Sequence, residues 1–201
     1  MTDIQATHQT PEPARLPLTV EAYVEAYEHQ PIEVVNGEII QMSPPQLQHV
    51  RIAHRTYNSL ERFLEQNALG EVYMEAPYLL DADDRTNWVG DARVPDVSFV
   101  SQERINAHVE KYGEAGPIRL APDLAIEVVS PGDTVDEIAD KVEDYLRYGV
   151  RLVVVLYPRW RTAMLHTPEN PQGTQETVIL RGDPVLPGWS MPLAELFSAK
   201  K

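Results

Sequence analysis

The chain has 201 residues, of which 43% are hydrophobic, and it contains no cysteine. This length suits one well-buried core rather than two full domains. The absence of cysteine excludes disulfides, thiolate metal sites and thiol nucleophiles. The formal net charge of −14 argues against broad adhesion to nucleic acid or anionic membranes. It leaves a nucleic-acid substrate open, because a divalent metal can bridge carboxylates to phosphate.

The N-terminal segment is polar and proline-containing, and it lacks the apolar core of a signal peptide. We therefore expect a flexible tail over residues 1–18 and a single domain over residues 19–201. The longest clean apolar run, residues 152–157, is too short to cross a bilayer. These features predict a soluble cytoplasmic protein without a membrane partner.

The first elements of the domain are predicted to be a helix, a hairpin and a longer helix. Residues 19–27 fit a short helix. Residues 32–42 fit a hairpin, because Asn36 and Gly37 supply the two positive φ angles of a type I′ turn. Between residues 46 and 66 the apolar side chains recur every three or four positions, which indicates an amphipathic helix.

The middle of the chain is predicted to supply strands of a central sheet. Residues 71–80 alternate as a strand does, and we interpret residues 81–91 as a loop. Two apolar, β-branched runs follow, residues 94–100 and 124–131, and they indicate buried strands. A polar insert over residues 101–122 separates the two runs.

The last third begins with a helix. Thr134 and Glu137 form a capping-box pattern, and the helix is expected to run to about Tyr148 and to end at Gly149. Residues 151–157 predict a buried strand. The remaining predicted elements are two strands that extend the sheet, residues 162–167 and 176–181, and a short helix within residues 192–198.

From residue 46 onward the predicted order is helix, three strands, helix, strand and a β-rich tail. This order indicates an α/β or α+β fold with a mixed central sheet flanked by helices. An N-terminal helix and hairpin precede this sheet, and a β-rich C-terminal extension follows it.

Each of the two buried strands of the middle region contains one carboxylate, Asp96 or Glu127. A buried carboxylate left ionised and unpaired costs several kcal/mol, so each needs a partner or a metal. If the two strands are neighbours, both side chains reach a common site. Hard oxygen ligands suit Mg²⁺ or Mn²⁺ better than Zn²⁺.

Lys141 is the one basic residue in the first two turns of the helix that follows Glu127. With Val142 and Tyr145 on the packed face of that helix, Lys141 lies at the flank of the face. Its alkyl stem can follow the sheet and bring the ammonium group near the two carboxylates.

The pair Pro95-Asp96 followed by Glu127-Val128 resembles the core signature of the PD-(D/E)XK nuclease superfamily, and the predicted element order matches its α-β-β-β-α-β order. The chain resembles the Uma2 family of restriction endonuclease-like proteins more closely, from about residue 19 to residue 197. The segments that carry this resemblance are IEVVNGE (32–38), MSPP (42–45) followed by His49, VPDV (94–97), IEVVSP (126–131) with Thr134, KVEDY (141–145), YGV (148–150) and GW (188–189).

The resemblance implies a metal-dependent endonuclease that hydrolyses DNA phosphodiester bonds. It implies Asp96 and Glu127 as ligands of Mg²⁺ or Mn²⁺ and Lys141 as the catalytic cation. In the superfamily pattern a lysine lies two residues after the glutamate, where this chain has Val129. In Uma2-like sequences a lysine on the next helix takes that place, and Lys141 matches it.

The resemblance also suggests groups around the metal ligands. Many superfamily sites add an acidic residue from the first core helix, for which Glu61 is the candidate. His49, near the start of that helix, is a further candidate. Superfamily nucleases often pair to cut two strands, so a homodimer is also implied.

Each principal candidate has a structural alternative. Asp96 could bond backbone amides at the start of a strand. Glu127 could form a buried pair with an arginine such as Arg93 or Arg147. Lys141 could form ordinary ion pairs on the helix surface, with Glu137 and Asp144.

Two other functions stay open beside the nuclease. One is a non-catalytic binding or assembly protein that keeps a nuclease-like fold, which the charge of −14 and Val129 favour. The other is a metal-dependent phosphohydrolase that acts on small nucleotides.

Overall fold

The computed structural model describes residues 18–83 and 85–198, with the backbone alone for Asp83. Residues 1–17 of the predicted flexible tail lie outside the described residues. Leu18, the last residue assigned to that tail, belongs to the first strand and pairs with Val89. No helix within these two ranges is long and apolar enough to cross a membrane.

The helices and strands are numbered in chain order. The helices are α1 (Val20–His29), α2 (Leu47–Leu64), α3 (Gln102–Tyr112), α4 (Val135–Arg147) and α5 (Leu193–Leu196). The strands are β1 (Leu18–Thr19), β2 (Ile32–Val35), β3 (Glu38–Gln41), β4 (Gly70–Met74), β5 (Tyr78–Asp83), β6 (Trp88–Arg93), β7 (Val97–Ser101), β8 (Leu124–Val128), β9 (Leu152–Tyr157), β10 (Thr162–Thr167), β11 (Asn170–Glu176), β12 (Ile179–Gly182) and β13 (Leu186–Pro192).

The strands of the described ranges form one large sheet and two smaller ones. The central sheet has six strands in the order β11-β10-β9-β8-β7-β4, and a five-stranded sheet contains β1, β6, β2 and β3 with β5 paired to β6. Strands β12 and β13 form a separate pair. Within the central sheet β8 and β9 run parallel and their neighbours run antiparallel. The predicted mixed sheet flanked by helices is thus confirmed.

The predicted α-β-β-β-α-β order is present as α2, β4, β7, β8, α4 and β9. Strands β5 and β6 are inserted into this order and belong to the five-stranded sheet. The predicted hairpin is β2 and β3, and its turn residues Asn36 and Gly37 have φ angles of 50° and 79°. These positive values are the ones that a type I′ turn requires.

The structure differs from the sequence-based elements in four places. The run at residues 71–80 divides into β4 and β5, because Glu75 takes a φ of 49° and Pro77 cannot donate to a strand ladder. Residues 81–91 are not a loop, since most of them belong to the antiparallel pair of β5 and β6. Asp81 is exposed in this pair, whereas Asp91 is buried and accepts from Arg147 and Tyr148.

The third difference concerns residues 176–181, which do not extend the central sheet. Strand β11 occupies its edge, and the following strand β12 pairs with β13 instead. The predicted polar insert also contains a helix, α3, although its charged surface gave little hydrophobic pattern. Residues 176–181 lie beyond the edge of the central sheet and α3 has no buried residue, so hydrophobic pattern is a weaker guide in both regions.

Strand β8 is buried on both faces, because helices cover the two sides of the central sheet. Leu124, Ile126 and Val128 belong to the apolar cluster that includes α2, whereas Ala125 belongs to the cluster that includes α4. Side chains alternate along a strand, so Glu127 points to the α4 side. The fold therefore places one carboxylate inside an otherwise apolar layer.

Ile126→Ala should lower the free energy of unfolding by about 2–5 kcal/mol, because Ile126 is fully buried and the change leaves a cavity. Urea unfolding followed by circular dichroism measures the loss. The control is Val178→Ala, at a residue that is 68% exposed, for which a change within about 0.5 kcal/mol is expected. Equal losses in the two variants would contradict this placement of β8.

Candidate active site

Asp96 and Glu127 lie opposite each other at one end of the β7–β8 pair. Val97 pairs with Ile126 in an antiparallel register, so Asp96, just before β7, faces Glu127 near the end of β8. The backbone N–H of Val128 donates to Oδ2 of Asp96 at 2.6 Å. Asp96 thus accepts from one backbone amide, as its structural alternative expects, and the same bond holds its carboxylate beside Glu127.

Two side chains of α4 contact Glu127. The hydroxyl of Tyr145 donates to Oε1 at 2.7 Å, and Nζ of Lys141 lies 3.3 Å from Oε2. The two residues are four positions apart and therefore lie on the same side of the helix. The partners of Glu127 are thus Lys141 and Tyr145 rather than the buried arginine of the structural alternative.

Lys141 also contacts a second carboxylate. Its Nζ lies 3.1 Å from Oε1 of Glu33, and its side chain is only 22% exposed. The acidic neighbours on α4 have other partners: Glu137 completes the capping box with Thr134, and Asp144 pairs with arginines. The ammonium is therefore held between β2 and β8 and not on the helix surface.

Glu33 is the site residue that the sequence analysis did not identify. It lies on β2 and is buried, with Oε2 accepting from Nη1 of Arg93 at 2.9 Å and Oε1 accepting from the N–H of Val94 at 3.1 Å. The signal was available, because Glu33 interrupts an apolar β-branched run as Glu127 does. Its place in the site could not be predicted, because β2 and β8 belong to different sheets and the sequence does not show how those sheets pack.

Arg93 extends this cluster away from the central sheet. Its guanidinium also donates to Asp144 on α4, and Asp144 accepts from Arg147 at 2.7 Å. Arg147 in turn lies 3.2 Å from Asp91. Both arginines offered as alternatives for Glu127 thus bind other carboxylates.

His49, in the first turn of α2, lies beside Asp96. Its Nε2 is 2.8 Å from Oδ1 of Asp96, and its Nδ1 is 3.0 Å from the hydroxyl oxygen of Ser130. Because an ionised carboxylate only accepts, Nε2 donates in this contact. Burial lowers the pKa of His49, but the hydrogen bond to Asp96 and the charge of that residue outweigh burial, and the net shift is upward.

Glu61 is not brought to the site. It lies on the same helix as His49 but twelve residues further along, which corresponds to about 18 Å of helix rise. Its carboxylate accepts from the hydroxyl of Tyr57 at 3.3 Å. The structure therefore groups Asp96, Glu127, Lys141 and His49 and leaves Glu61 on its own.

Burial is the main influence on the pKa of Glu127, and it raises that pKa. The charges of Asp96 and Glu33 add to it, and although Lys141 and Tyr145 act in the opposite direction the value becomes about 7. For Glu33 burial also raises the pKa, but Lys141 and Arg93 reverse this and the net shift is downward. The pKa of Lys141 is raised, because the facing carboxylates outweigh its burial.

The site carries more negative than positive charge. Glu33, Asp91, Glu127 and Asp144 pair with the cations Arg93, Lys141 and Arg147, and Asp96 pairs with His49. Taking each group as ionised and His49 as neutral, five negative against three positive charges leave an excess of two. A proton on Glu127, whose pKa is about 7, or a bound cation would reduce that excess.

The candidate site offers few protein ligands, which suits Mg²⁺ or Mn²⁺. Among the residues that the structure describes, no three His, Asp or Glu side chains are grouped so that they could hold a metal ion. A site made by Asp96 and Glu127, the ligands that the family resemblance implies, would therefore have two protein ligands. This suits Mg²⁺, which commonly binds one or two carboxylates and completes its shell with water and substrate phosphate.

Comparisons with known proteins agree with this fold. The Uma2 family, described as "Putative restriction endonuclease", matches residues 20–194. A crystal structure of a putative nuclease belonging to DUF820, from Anabaena variabilis, is similar over 90% of this chain and 98% of that chain, with a TM-score of 0.70 and 20% sequence identity. No curated protein matches. The structural neighbour shares the fold. Because the family match covers most of the chain, the protein belongs to the Uma2 family.

Proposed function

We propose that this protein is a Mg²⁺- or Mn²⁺-dependent endonuclease that hydrolyses phosphodiester bonds of DNA. The observation that carries the proposal is the convergence of Asp96, Glu127 and Lys141 at one end of the β7–β8 pair. Membership of a family described as "Putative restriction endonuclease" supports the same reaction. A homodimer would bring two such sites to the two strands of a duplex.

The roles follow from the contacts. Asp96 and Glu127 would hold the divalent ion, which when bound supplies Lewis-acid activation of water and of the scissile phosphate. Lys141 places a positive charge where negative charge develops on the phosphate. Lys141 would also take the place of the lysine that the superfamily pattern has two residues after the glutamate, where this chain has Val129.

Two further residues support these groups. Glu33 holds the ammonium of Lys141 from the side opposite Glu127. His49 donates to Asp96 and is itself oriented by its contact with Ser130. Such partners fix the rotamers of the groups they contact and tune their basicity.

One observation favours the non-catalytic alternative. Each carboxylate oxygen of Asp96 and Glu127 already has a donor within the protein, so the two carboxylates and their four donors can also form a purely structural network. Metal binding distinguishes the two, because only the nuclease requires these oxygens to bind a cation.

Asp96→Asn and Glu127→Gln should each lower cleavage of supercoiled plasmid DNA in Mg²⁺ or Mn²⁺ by more than about 100-fold. The reason is that removing even a residue that only hydrogen-bonds a metal ligand typically lowers metal affinity or activity about 10- to 100-fold. Gel electrophoresis of the plasmid measures the rate, with small nucleotides as comparison substrates. Asp123→Asn is the control, since Asp123 is buried at the opposite end of the same strand pair, and it should cleave as the wild type does. Equal rates in all variants would remove the proposed site.

Mn²⁺ should bind the wild-type protein, and Glu127→Gln should weaken that binding at least about tenfold, because one of two protein ligands loses its charge. Isothermal titration calorimetry on metal-free protein measures both affinities. Asp123→Asn again serves as the control. A wild type that binds no Mn²⁺ would contradict the metal site and would support the non-catalytic alternative.

Glu33→Gln should release the ammonium of Lys141. The chain has four lysines, so ¹⁵N-lysine labelling gives few ammonium signals, and Lys141→Met identifies the signal of Lys141. In the wild type this signal should be observable, because the ammonium is held by two carboxylates, and in Glu33→Gln it should shift or broaden.

Asp144→Asn is the matched control for Glu33→Gln. Asp144 is also a buried carboxylate bound to Arg93, but it has no recorded contact with Lys141 among the described residues. Both variants should lose stability, whereas the Lys141 signal should change only in Glu33→Gln. An unchanged signal in Glu33→Gln would show that Glu33 does not position the lysine.

A further inference from the structure

The turn between β9 and β10 presents an exposed tryptophan between two arginines. Its residues are Arg159, Trp160 and Arg161, and all three are exposed. Trp160 is 64% exposed, although indole is among the most hydrophobic side chains. The backbone N–H of Arg161 donates to the carbonyl of Tyr157 at 2.8 Å, which closes the turn and defines its shape.

The topology places this turn at the same edge of the central sheet as the candidate active site. Strands β8 and β9 are parallel, and Glu127 pairs with Val155. Tyr157 is two residues beyond Val155, which corresponds to about 7 Å along the strand. The chain then enters the turn, so Trp160 lies past the carboxyl end of the strand adjacent to Glu127.

The tryptophan also lies toward the face of the sheet that carries the site. Side chains of paired residues share a face, so Glu127, Val155 and Tyr157 point to the same side. Tyr157 packs against the apolar cluster on that side, beneath α4. The ring of Trp160 lies 5.4 Å from that of Tyr157 at an angle of 44°, which links the turn to the face of Glu127.

The chemistry of the turn matches one class of ligand. An exposed aromatic ring stacks on a nucleic-acid base, and neighbouring arginines pair with phosphates. Although the net charge of the chain is −14, the two exposed arginines form a local region of positive charge beside the site, and positive charge attracts phosphate. A tryptophan can stack on a base only where that base is not already stacked in a duplex.

We propose that Trp160 stacks on an unpaired base of the DNA strand next to the cleavage site, with Arg159 and Arg161 bound to the flanking phosphates. This inference rests on the proposed nuclease function and specifies its substrate as DNA with single-stranded or splayed nucleotides. The turn thus places positive charge beside the site in a chain whose net charge is −14.

Fluorescence anisotropy tests the tryptophan. A fluorescein-labelled single-stranded oligonucleotide and its duplex are titrated in EDTA, so that binding is measured without cleavage. Trp160→Ala should weaken single-strand binding on the order of tenfold and duplex binding less. Trp160→Phe should retain most of the affinity because it keeps an aromatic face.

Trp88→Ala is the matched control, since Trp88 is 48% exposed and lies at the opposite end of β6 from Arg93. It should bind DNA as the wild type does. Circular dichroism melting should show that both alanine variants remain folded, because each removes an exposed side chain.

Salt dependence tests the arginines. For single strands each phosphate contact contributes about 0.7 to the slope of log affinity against log salt. The double variant Arg159→Gln/Arg161→Gln should therefore have a slope shallower by about 1.4 than the wild type. An unchanged slope would show that these arginines do not bind phosphate.

The outcomes separate this inference from the nuclease proposal. Wild type that cleaves DNA, together with unchanged single-strand affinity in Trp160→Ala, overturns the role of the turn and leaves the nuclease intact. Equal weakening in Trp160→Ala and Trp88→Ala likewise counts against the turn. A wild type that neither binds nor cleaves DNA overturns both.

Discussion

The ammonium of Lys141 lies between two buried carboxylates that come from different sheets, Glu33 on β2 and Glu127 on β8. Each of these charges costs several kcal/mol to remove from water, and only close pairing with further hydrogen bonds offsets that cost. The hydroxyl of Tyr145 and the guanidinium of Arg93 supply those bonds. The two sheets and α4 must therefore stay in fixed relation for the charges to remain satisfied.

This pairing makes the N-terminal hairpin part of the site. The same carboxylate of Glu33 contacts Lys141 and the backbone of Val94, two residues before Asp96. It thereby sets the distance between the lysine and the segment that carries the other carboxylate. Burial, together with the charges of Asp96 and Glu33, raises the pKa of Glu127 to about 7 even though Lys141 and Tyr145 act in the opposite direction. Glu33, Lys141, Glu127 and Tyr145 thus hold one another in a defined arrangement.

Local pattern was a good guide wherever one face or both faces of an element were buried. The apolar runs around Asp96 and Glu127 predicted neighbouring strands, and the helical period predicted that Lys141 would reach them. Glu61 was predicted to lie near the site but does not, because it is about three turns of helix further along α2 than His49. The family resemblance named a residue on this helix without taking that distance into account. The strand at residues 81–83 was missed because its polar residues indicated a turn, whereas pairing with β6 stabilises it.

The sequence by itself determined the central strands, the helix caps, the type I′ turn and the identity of Asp96, Glu127 and Lys141 as unusual residues. These follow from local rules of burial, dihedral angle and hydrogen bonding, which act within a few residues. The tertiary structure alone decided that Glu33 joins them, that His49 faces Asp96 and that Trp160 lies at the same sheet edge. Such relations depend on strand order and register between segments far apart in the chain, and no local pattern encodes those.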